Sequence, residues 1–212
     1  MKPLICFDWD GTMVNSMALC VAEVRLAMKR LGLPEPSVED CKWCNGPSYE
    51  ETVTHLNIPP ELARTYIDER MKANVELCND YNELYPGIRE MLEALQGKAE
   101  LCIVSNGHRG YIEHCMRTFR VGQYFTRIEA AQIGRTKTQA LQEILDAYPG
   151  VPAIMVGDRF GDLQAGRNCG IPTLAACYGF GNETEWAGAD LRADSAEEMT
   201  VLLKAFIEKG GV

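Results

Sequence analysis

The chain has 212 residues, 46% of them hydrophobic, enough to bury a full core and a modest accessory module, so a disordered or fibrous protein is excluded. Lys and Arg number 21 against 30 Asp and Glu, a formal net charge of -9, so no overall positive field exists to gather nucleic acid or an anionic membrane. An anionic ligand must instead be caught locally, and the apolar stretch before Asp8 is too short for a secretory leader, so a cytoplasmic protein without a membrane partner is expected.

In chain order, Leu4-Ile5-Cys6-Phe7 is a short, continuously apolar run of the kind a parallel strand covered on both faces requires. Met17, Val21, Val24, Met28 and Leu31 then mark one amphipathic helix, and Leu62, Tyr66, Met71, Val75 and Cys78 another, with Gly32, Pro34, Pro36, Pro59 and Pro60 as punctuation. The chain re-enters its main body at the Tyr85-Pro86-Gly87 turn. Further apolar runs follow at 99–104, 153–156 and 173–176, with helical stretches expected at about 86–97, 109–119, 137–147 and 197–208. This alternation predicts a doubly wound α/β fold with a parallel sheet. About 90 residues separate the first run from the second, too many for one crossover helix, so residues 15–83 are expected to form a small helical cap inserted into a core of residues 1–14 and 84–212.

Nine cysteines lie mostly within apolar patterns, as reduced thiols do, and no disulfides are expected. Cys41-Lys-Trp-Cys44 has the spacing of a redox pair or half a zinc site, but no second Cys-x-x-Cys or His pair accompanies it. It reads as two packing cysteines.

Parallel sheets bind ligands at the carboxyl ends of their strands, so the residues directly after each run carry the chemistry. The first run ends in Asp8-Trp9-Asp10-Gly11-Thr12, two carboxylates followed by a glycine that turns the backbone tightly. The second ends in Ser105-Asn106-Gly107, and Ile154-Met155-Val156 ends in Gly157-Asp158-Arg159-Phe160-Gly161-Asp162. Thr136 with Gln139 fits a capping box that places Lys137 in a helix's first turn, where Asp158 or Asp162 could hold its ammonium. Carboxylates so crowded repel one another unless a cation sits among them, and a few hard oxygen donors suit Mg²⁺ with a substrate phosphate. A calcium-loop reading of Asp8-Trp9-Asp10-Gly11 fails for want of the later acidic positions.

The order and spacing of these four motifs resemble the haloacid dehalogenase-like hydrolase superfamily, in the branch with a helical cap that includes phosphoglycolate phosphatases. The resemblance spans nearly the whole chain. It implies an Mg²⁺-dependent phosphatase acting on a small phosphorylated metabolite, with 2-phosphoglycolate as the leading candidate. It further implies that Asp8 attacks phosphorus to form an aspartyl-phosphate and that Asp10 serves as acid and then base. Asp8, the Asp10 carbonyl and Asp158 would hold Mg²⁺; Ser105, Lys137 and backbone N–H groups near Gly11 and Asn106 would bind phosphoryl oxygens; Asp162 would support metal and lysine from behind. Asp10 favours phosphate chemistry over carbon–halogen cleavage, which needs no leaving-group acid. The alternatives are a sugar phosphomutase of the same superfamily and a non-catalytic phosphate-binding regulator, and the protein is expected as a monomer or homodimer.

Three other groups are singled out. His108 and Arg109 could line the entrance beside the phosphate, and Trp43, Asn45, Gly46, Ser48 and Tyr49 form a polar and aromatic cluster that could read the leaving group. The glycines of Tyr178-Gly179-Phe180-Gly181 read as turn residues in a loop flanking the site.

Overall fold

The structure, a computed structural model, describes residues 2–130 and 132–211. Strand β1 (Leu4–Phe7) lies at the middle of a six-stranded sheet, between β4 (Glu100–Val104) and β6 (Ala153–Gly157), and pairs in parallel with both. The remaining strands are β5 (Phe125–Glu129), β7 (Thr173–Ala176) and β8 (Leu191–Ala193), and the order is β5-β4-β1-β6-β7-β8, parallel throughout. The four strands expected from apolar runs are the inner four. The two edges were not expected, because β5 (Phe-Thr-Arg-Ile-Glu) carries charge and is partly exposed and β8 has three residues.

The inner runs are apolar throughout because both faces are covered. Ile5 and Phe7 face a cluster with α5 (Ile88–Leu95), α6 (Arg109–Phe119) and α10 (Ala196–Glu208), contributed by Met91, Leu92, Ile112, Met199 and Leu203. Leu4 and Cys6 face α7 (Lys137–Ala147) and α8 (Phe160–Asn168) through Leu141, Ile144 and Ala165. Alternate residues of one strand thus reach opposite layers. The doubly wound expectation holds. The capping box that opens α7 is present, with Thr136 Oγ1 accepting from Gln139 N at 3.2 Å and Gln139 Oε1 accepting from Thr136 N at 2.9 Å. α5 starts at Ile88 rather than Pro86, because Gly87 enters it in the left-handed region at φ 82°.

Between β1 and α5 a short antiparallel ribbon, β2 (Val14–Asn15) with β3 (Glu83–Leu84), carries the chain out and back. The helices between them, α1 (Met17–Arg30), α2 (Val38–Trp43), α3 (Tyr49–His55) and α4 (Ala63–Tyr81), pack on a cluster of their own that includes Val24, Met28, Cys41, Cys44, Tyr66 and Ile67. Cys41 and Cys44 are free, buried thiols in that cluster. Burial pushes the Cys44 thiol up to about 11, the environment of an inert packing residue rather than a reactive one. Among the described residues no helix is long and apolar enough to cross a membrane.

Candidate active site

The chain reverses direction across the sheet at β1, and the carboxyl ends of β1, β4 and β6 open on one crevice. Asp8 follows β1, Asp158 follows β6 and Asp162 sits in the first turn of α8; the three are 3%, 0% and 1% exposed. Each offers a carboxylate oxygen, all within 4.8 Å of one another. Lys137 Nζ reaches them from α7, 2.5 Å from Asp162 Oδ1 and 3.0 Å from Asp8 Oδ1. The ammonium is therefore held by Asp162 together with Asp8, and not by Asp158.

One lysine does not balance three buried carboxylates. Burial first, and then the Asp162 carboxylate, push Asp8 up to about 7 despite the nearby ammonium. Burial, then Asp162 and Asp8, hold Asp158 well above the usual carboxylate range. Burial pulls Lys137 down, but the two carboxylates more than offset it, and its pKa is raised. Asp8 Oδ1 faces the ammonium without an aligned hydrogen bond and is a buried oxygen with no donor among the described residues. A buried, electron-rich oxygen cluster short of positive charge fits a hard divalent cation such as Mg²⁺.

Asp158 is fixed by Thr12 Oγ1, which donates to its Oδ1 at 3.3 Å, and by Phe180 N, which donates to its Oδ2 at 2.7 Å. Trp186 Nε1 donates to its backbone carbonyl at 2.7 Å. Residues 178–181 form a loop beside the site as expected, but the reading of its glycines as turn residues is corrected. Neither Gly179 nor Gly181 has a positive φ; a Cβ on Gly179 would sit 2.3 Å from Asp158 Cβ and from the Gly11 carbonyl, and one on Gly181 2.1 Å from the Asp158 carbonyl. These glycines exist for close approach. Gly179→Ala is expected to displace Asp158 and lower kcat/KM by about 10–100-fold, with a matching rise in the Mg²⁺ concentration needed for half-maximal rate; unchanged Mg²⁺ dependence would show that the loop does not support the acid.

Gly11, expected to help bind phosphate, has φ 82° and packs so tightly that a Cβ would lie 2.2 Å from Asp158 Oδ2. Its own N–H donates to Val14 O at 2.8 Å, so Gly11 shapes the loop and its amide is already committed. Ser105 lies at the end of β4, with its Oγ accepting from Gly107 N at 3.0 Å. The Asn106 side chain turns away from the sheet and donates to the Gly46 carbonyl in the cap at 2.8 Å.

Asp10 is oriented by a residue that sequence reasoning missed. Tyr111 Oη donates to Asp10 Oδ1 at 2.7 Å and accepts from Asn82 Nδ2 at 2.8 Å. Burial raises the Asp10 carboxyl, with Ser16 and Tyr111 opposing through hydrogen bonds. Nothing in the sequence around Tyr111 marks it, since it belongs to the apolar face of α6.

The helices inserted between β2 and β3 lie over this end of the sheet. Asp8, Asp10, Ser105 and Asn106 line one side of a narrow cleft, and Glu23, Asn45, Gly46, Tyr49, Arg70 and Asn74 line the other. The polar cluster read from the sequence is thus divided. Asn45, Gly46 and Tyr49 face the cleft, whereas Trp43 is part-exposed and stacks on His55 at 3.9 Å, and Ser48 caps α3. His108 and Arg109 do not line the cleft: His108 caps α6 and contacts the Met71 carbonyl at 3.1 Å, and Arg109 bonds the Ile128 carbonyl. Arg159, anchored on Glu185 at 2.9 Å, donates to the Asn45 carbonyl at 2.6 Å and ties cap to core.

Glu23 and Arg70 also escaped the sequence reading, although a signal existed. Glu23 sits among Leu19, Cys20, Val24 and Ala27 on the buried stripe of α1, and Arg70 among Tyr66, Ile67 and Ala73 on that of α4. Arg70 Nε donates to Glu23 Oε1 at 2.8 Å, Nη1 to Thr52 Oγ1 at 3.2 Å and Nη2 to the Cys44 carbonyl at 3.0 Å. Burial raises the Glu23 carboxyl, with Arg70 and Asn74 opposing.

Comparison with known proteins agrees with this architecture. A 5'-nucleotidase of Pseudomonas aeruginosa is 27% identical over 86% of each chain. A phosphoglycolate phosphatase of Pseudomonas syringae pv. tomato is 28% identical over 85% of this chain and 71% of its own. A haloacid dehalogenase-like family hydrolase of Streptococcus pneumoniae has the same fold, with a TM-score of 0.85, 22% identity and coverage of 95% of this chain and 98% of that one. The family profile of haloacid dehalogenase-like hydrolases matches residues 5–176, from the first core strand through the fifth, and the chain belongs to that family.

Proposed function

We propose that this protein is an Mg²⁺-dependent phosphatase that hydrolyses small phosphate monoesters through an aspartyl-phosphate on Asp8, phosphoglycolate phosphatase-like in its chemistry. The observation that carries this reading is the convergence of buried Asp8, Asp158 and Asp162, with Lys137 paired to the first and last of them and Asp10 held beside them by Tyr111. The names of the relatives, a 5'-nucleotidase and a phosphoglycolate phosphatase, point to the same class of ester.

The ionised Asp8 carboxylate attacks phosphorus, and the bond from phosphorus to the ester oxygen breaks. Asp10, protonated at this stage, gives its proton to the departing alkoxide and then takes one from the water that attacks the phosphorylated Asp8. That second displacement releases inorganic phosphate and restores both carboxyls. Tyr111 and Asn82 keep Asp10 in position for both transfers. Lys137 and the Ser105 hydroxyl neutralise and orient the phosphoryl oxygens, with Asp162 as the lysine's anchor. Asp8, Asp158 and the Asp10 backbone carbonyl would hold Mg²⁺, which when bound shields the approach of one anion to another and stabilises transition-state charge. The cap, residues 15–83 in this reading, excludes bulk water through the Asn106–Gly46 and Arg159–Asn45 contacts.

The test is phosphate release from a panel of monoesters that includes 2-phosphoglycolate and a nucleoside 5'-monophosphate, with Mg²⁺ or EDTA. Release that EDTA stops and Mg²⁺ restores is expected. Transfer of the phosphoryl group to a second hydroxyl without release would favour the mutase reading. Binding of phosphate without turnover would favour the regulator.

A further inference from the structure

We infer that the cap side of the cleft selects a leaving group that is neutral and carries a hydroxyl, and rejects one that carries a carboxylate, with Glu23, Arg70 and Asn74 as the specificity-determining residues. The inference rests on the phosphatase reading above and concerns the far end of the same cleft.

The charge inventory of that end decides the sign. Arg70 is the only cationic side chain among the described residues lining the cleft, and it is 6% exposed. Its guanidinium is committed to Glu23, Thr52 and the Cys44 carbonyl, and lies over the Tyr49 ring at 5.3 Å. Of the cations nearby, Lys137 belongs to the phosphoryl end, between Asp8 and Asp162, and Arg159 is committed to Glu185 and the Asn45 carbonyl. Glu23 receives Arg70 Nε on one oxygen and Asn74 Nδ2 on the other, so both oxygens face donors and the pair is a closed, neutral unit. An entering carboxylate would find no free cation to replace the water it gives up, and burying an unpaired charge is costly, so such a ligand is disfavoured.

A second observation concerns hydrogen bonding. With Nδ2 fixed on Glu23, the Asn74 amide must present Oδ1 on its other side, and that oxygen is buried with no donor among the described residues. A hydroxyl can supply the missing donor; a carboxylate or a methyl group cannot. An ammonium group could donate as well, but it would compete with the guanidinium for Glu23 and bring two cations together. The neutral hydroxyl is the class that meets both conditions.

Four esters of matched size test this, each with a chain of three heavy atoms on the ester oxygen, the carboxylate adding one oxygen: 2-hydroxyethyl phosphate, 2-phosphoglycolate, phosphoethanolamine and n-propyl phosphate. The expected result is a kcat/KM for the hydroxyethyl ester at least about tenfold above each of the other three. A preference for 2-phosphoglycolate or phosphoethanolamine, or parity with the propyl ester, would overturn the inference while leaving the phosphatase standing. No Asp8-dependent release from any of the four would remove the phosphatase reading and the inference together. Glu23→Gln, which frees the guanidinium, is expected to raise kcat/KM for 2-phosphoglycolate relative to the hydroxyethyl ester by about tenfold. An unchanged ratio in a variant that melts cooperatively would count against the assignment. If the variant does not fold, the ester series on the unaltered protein decides alone.

Discussion

Asp8→Asn abolishes turnover, with a loss of roughly 10⁴-fold or more in kcat and no loss of fold. Asparagine keeps the shape and the contact with Lys137 but has no carboxylate to attack phosphorus. The stability sign separates this from unfolding. Asp8 is pushed up to about 7 from 3.8, so its charged form is disfavoured in the folded protein relative to the unfolded chain. That penalty is absent below the lower value, grows as pH rises between the two and is complete above the upper one. Removing the charge therefore leaves the melting temperature at pH 8 no lower than that of the unaltered protein. A variant that retained more than about 1% of the wild-type rate after protein turnover and contamination were controlled would rule out Asp8 as nucleophile.

Lys137→Met carries the second large effect, on stability and activity together. The ammonium is buried against two carboxylates, and removing one partner of a buried ion pair costs about 3–5 kcal/mol because the remaining charge is left unpaired. For a chain of this length that corresponds to a fall of about 6–20 °C in melting temperature. Lys137 is raised above its ordinary 10.5, so its own contribution is fully present at any pH below that value. Asp8, one of the carboxylates it opposes, loses its charge as pH falls through about 7. The deficit should therefore be largest near pH 8 and shrink toward pH 5, and Mg²⁺ should recover part of it at pH 8. Phosphatase activity should fall by about 10²–10³-fold, as for loss of one preorganised charge donor. Thermal melts of both proteins at the two pH values, with and without Mg²⁺, check the pattern; a deficit independent of pH would mean that the acidic cluster does not repel as described.

The members of the buried acidic cluster and its lysine stand out in the sequence because each follows directly on a local signal. Asp8 and Asp158 sit at the end of buried apolar runs, and Lys137 follows an N-cap that the Thr136 and Gln139 spacing announces. A strand buried on both faces cannot hide its pattern, and its carboxyl end is where a parallel sheet puts chemistry. What the sequence left open was which acid the lysine meets. Asp162 takes it because the first turn of α8 brings that carboxylate across, while Asp158 is held by Thr12 and Phe180.

Other parts depend on contacts between distant segments and have no local signature. Arg70 meets Glu23 across 47 residues and Tyr111 meets Asp10 across 101, so each reads in sequence as an ordinary member of its helix. Of the edge strands, β5 is too polar and β8 too short to stand out, since an edge needs little apolar surface. Gly179 and Gly181 look like turn residues and prove to be spacers against Asp158, a distinction that only the packed neighbour makes. The sequence by itself determined the doubly wound core, the inserted helices and the acidic and basic groups of the cluster, because strand burial and helix capping are local constraints. Only the tertiary structure decided how those acids are held and what lies opposite them, because these follow from side chains of distant segments that meet where the inserted helices pack over the sheet.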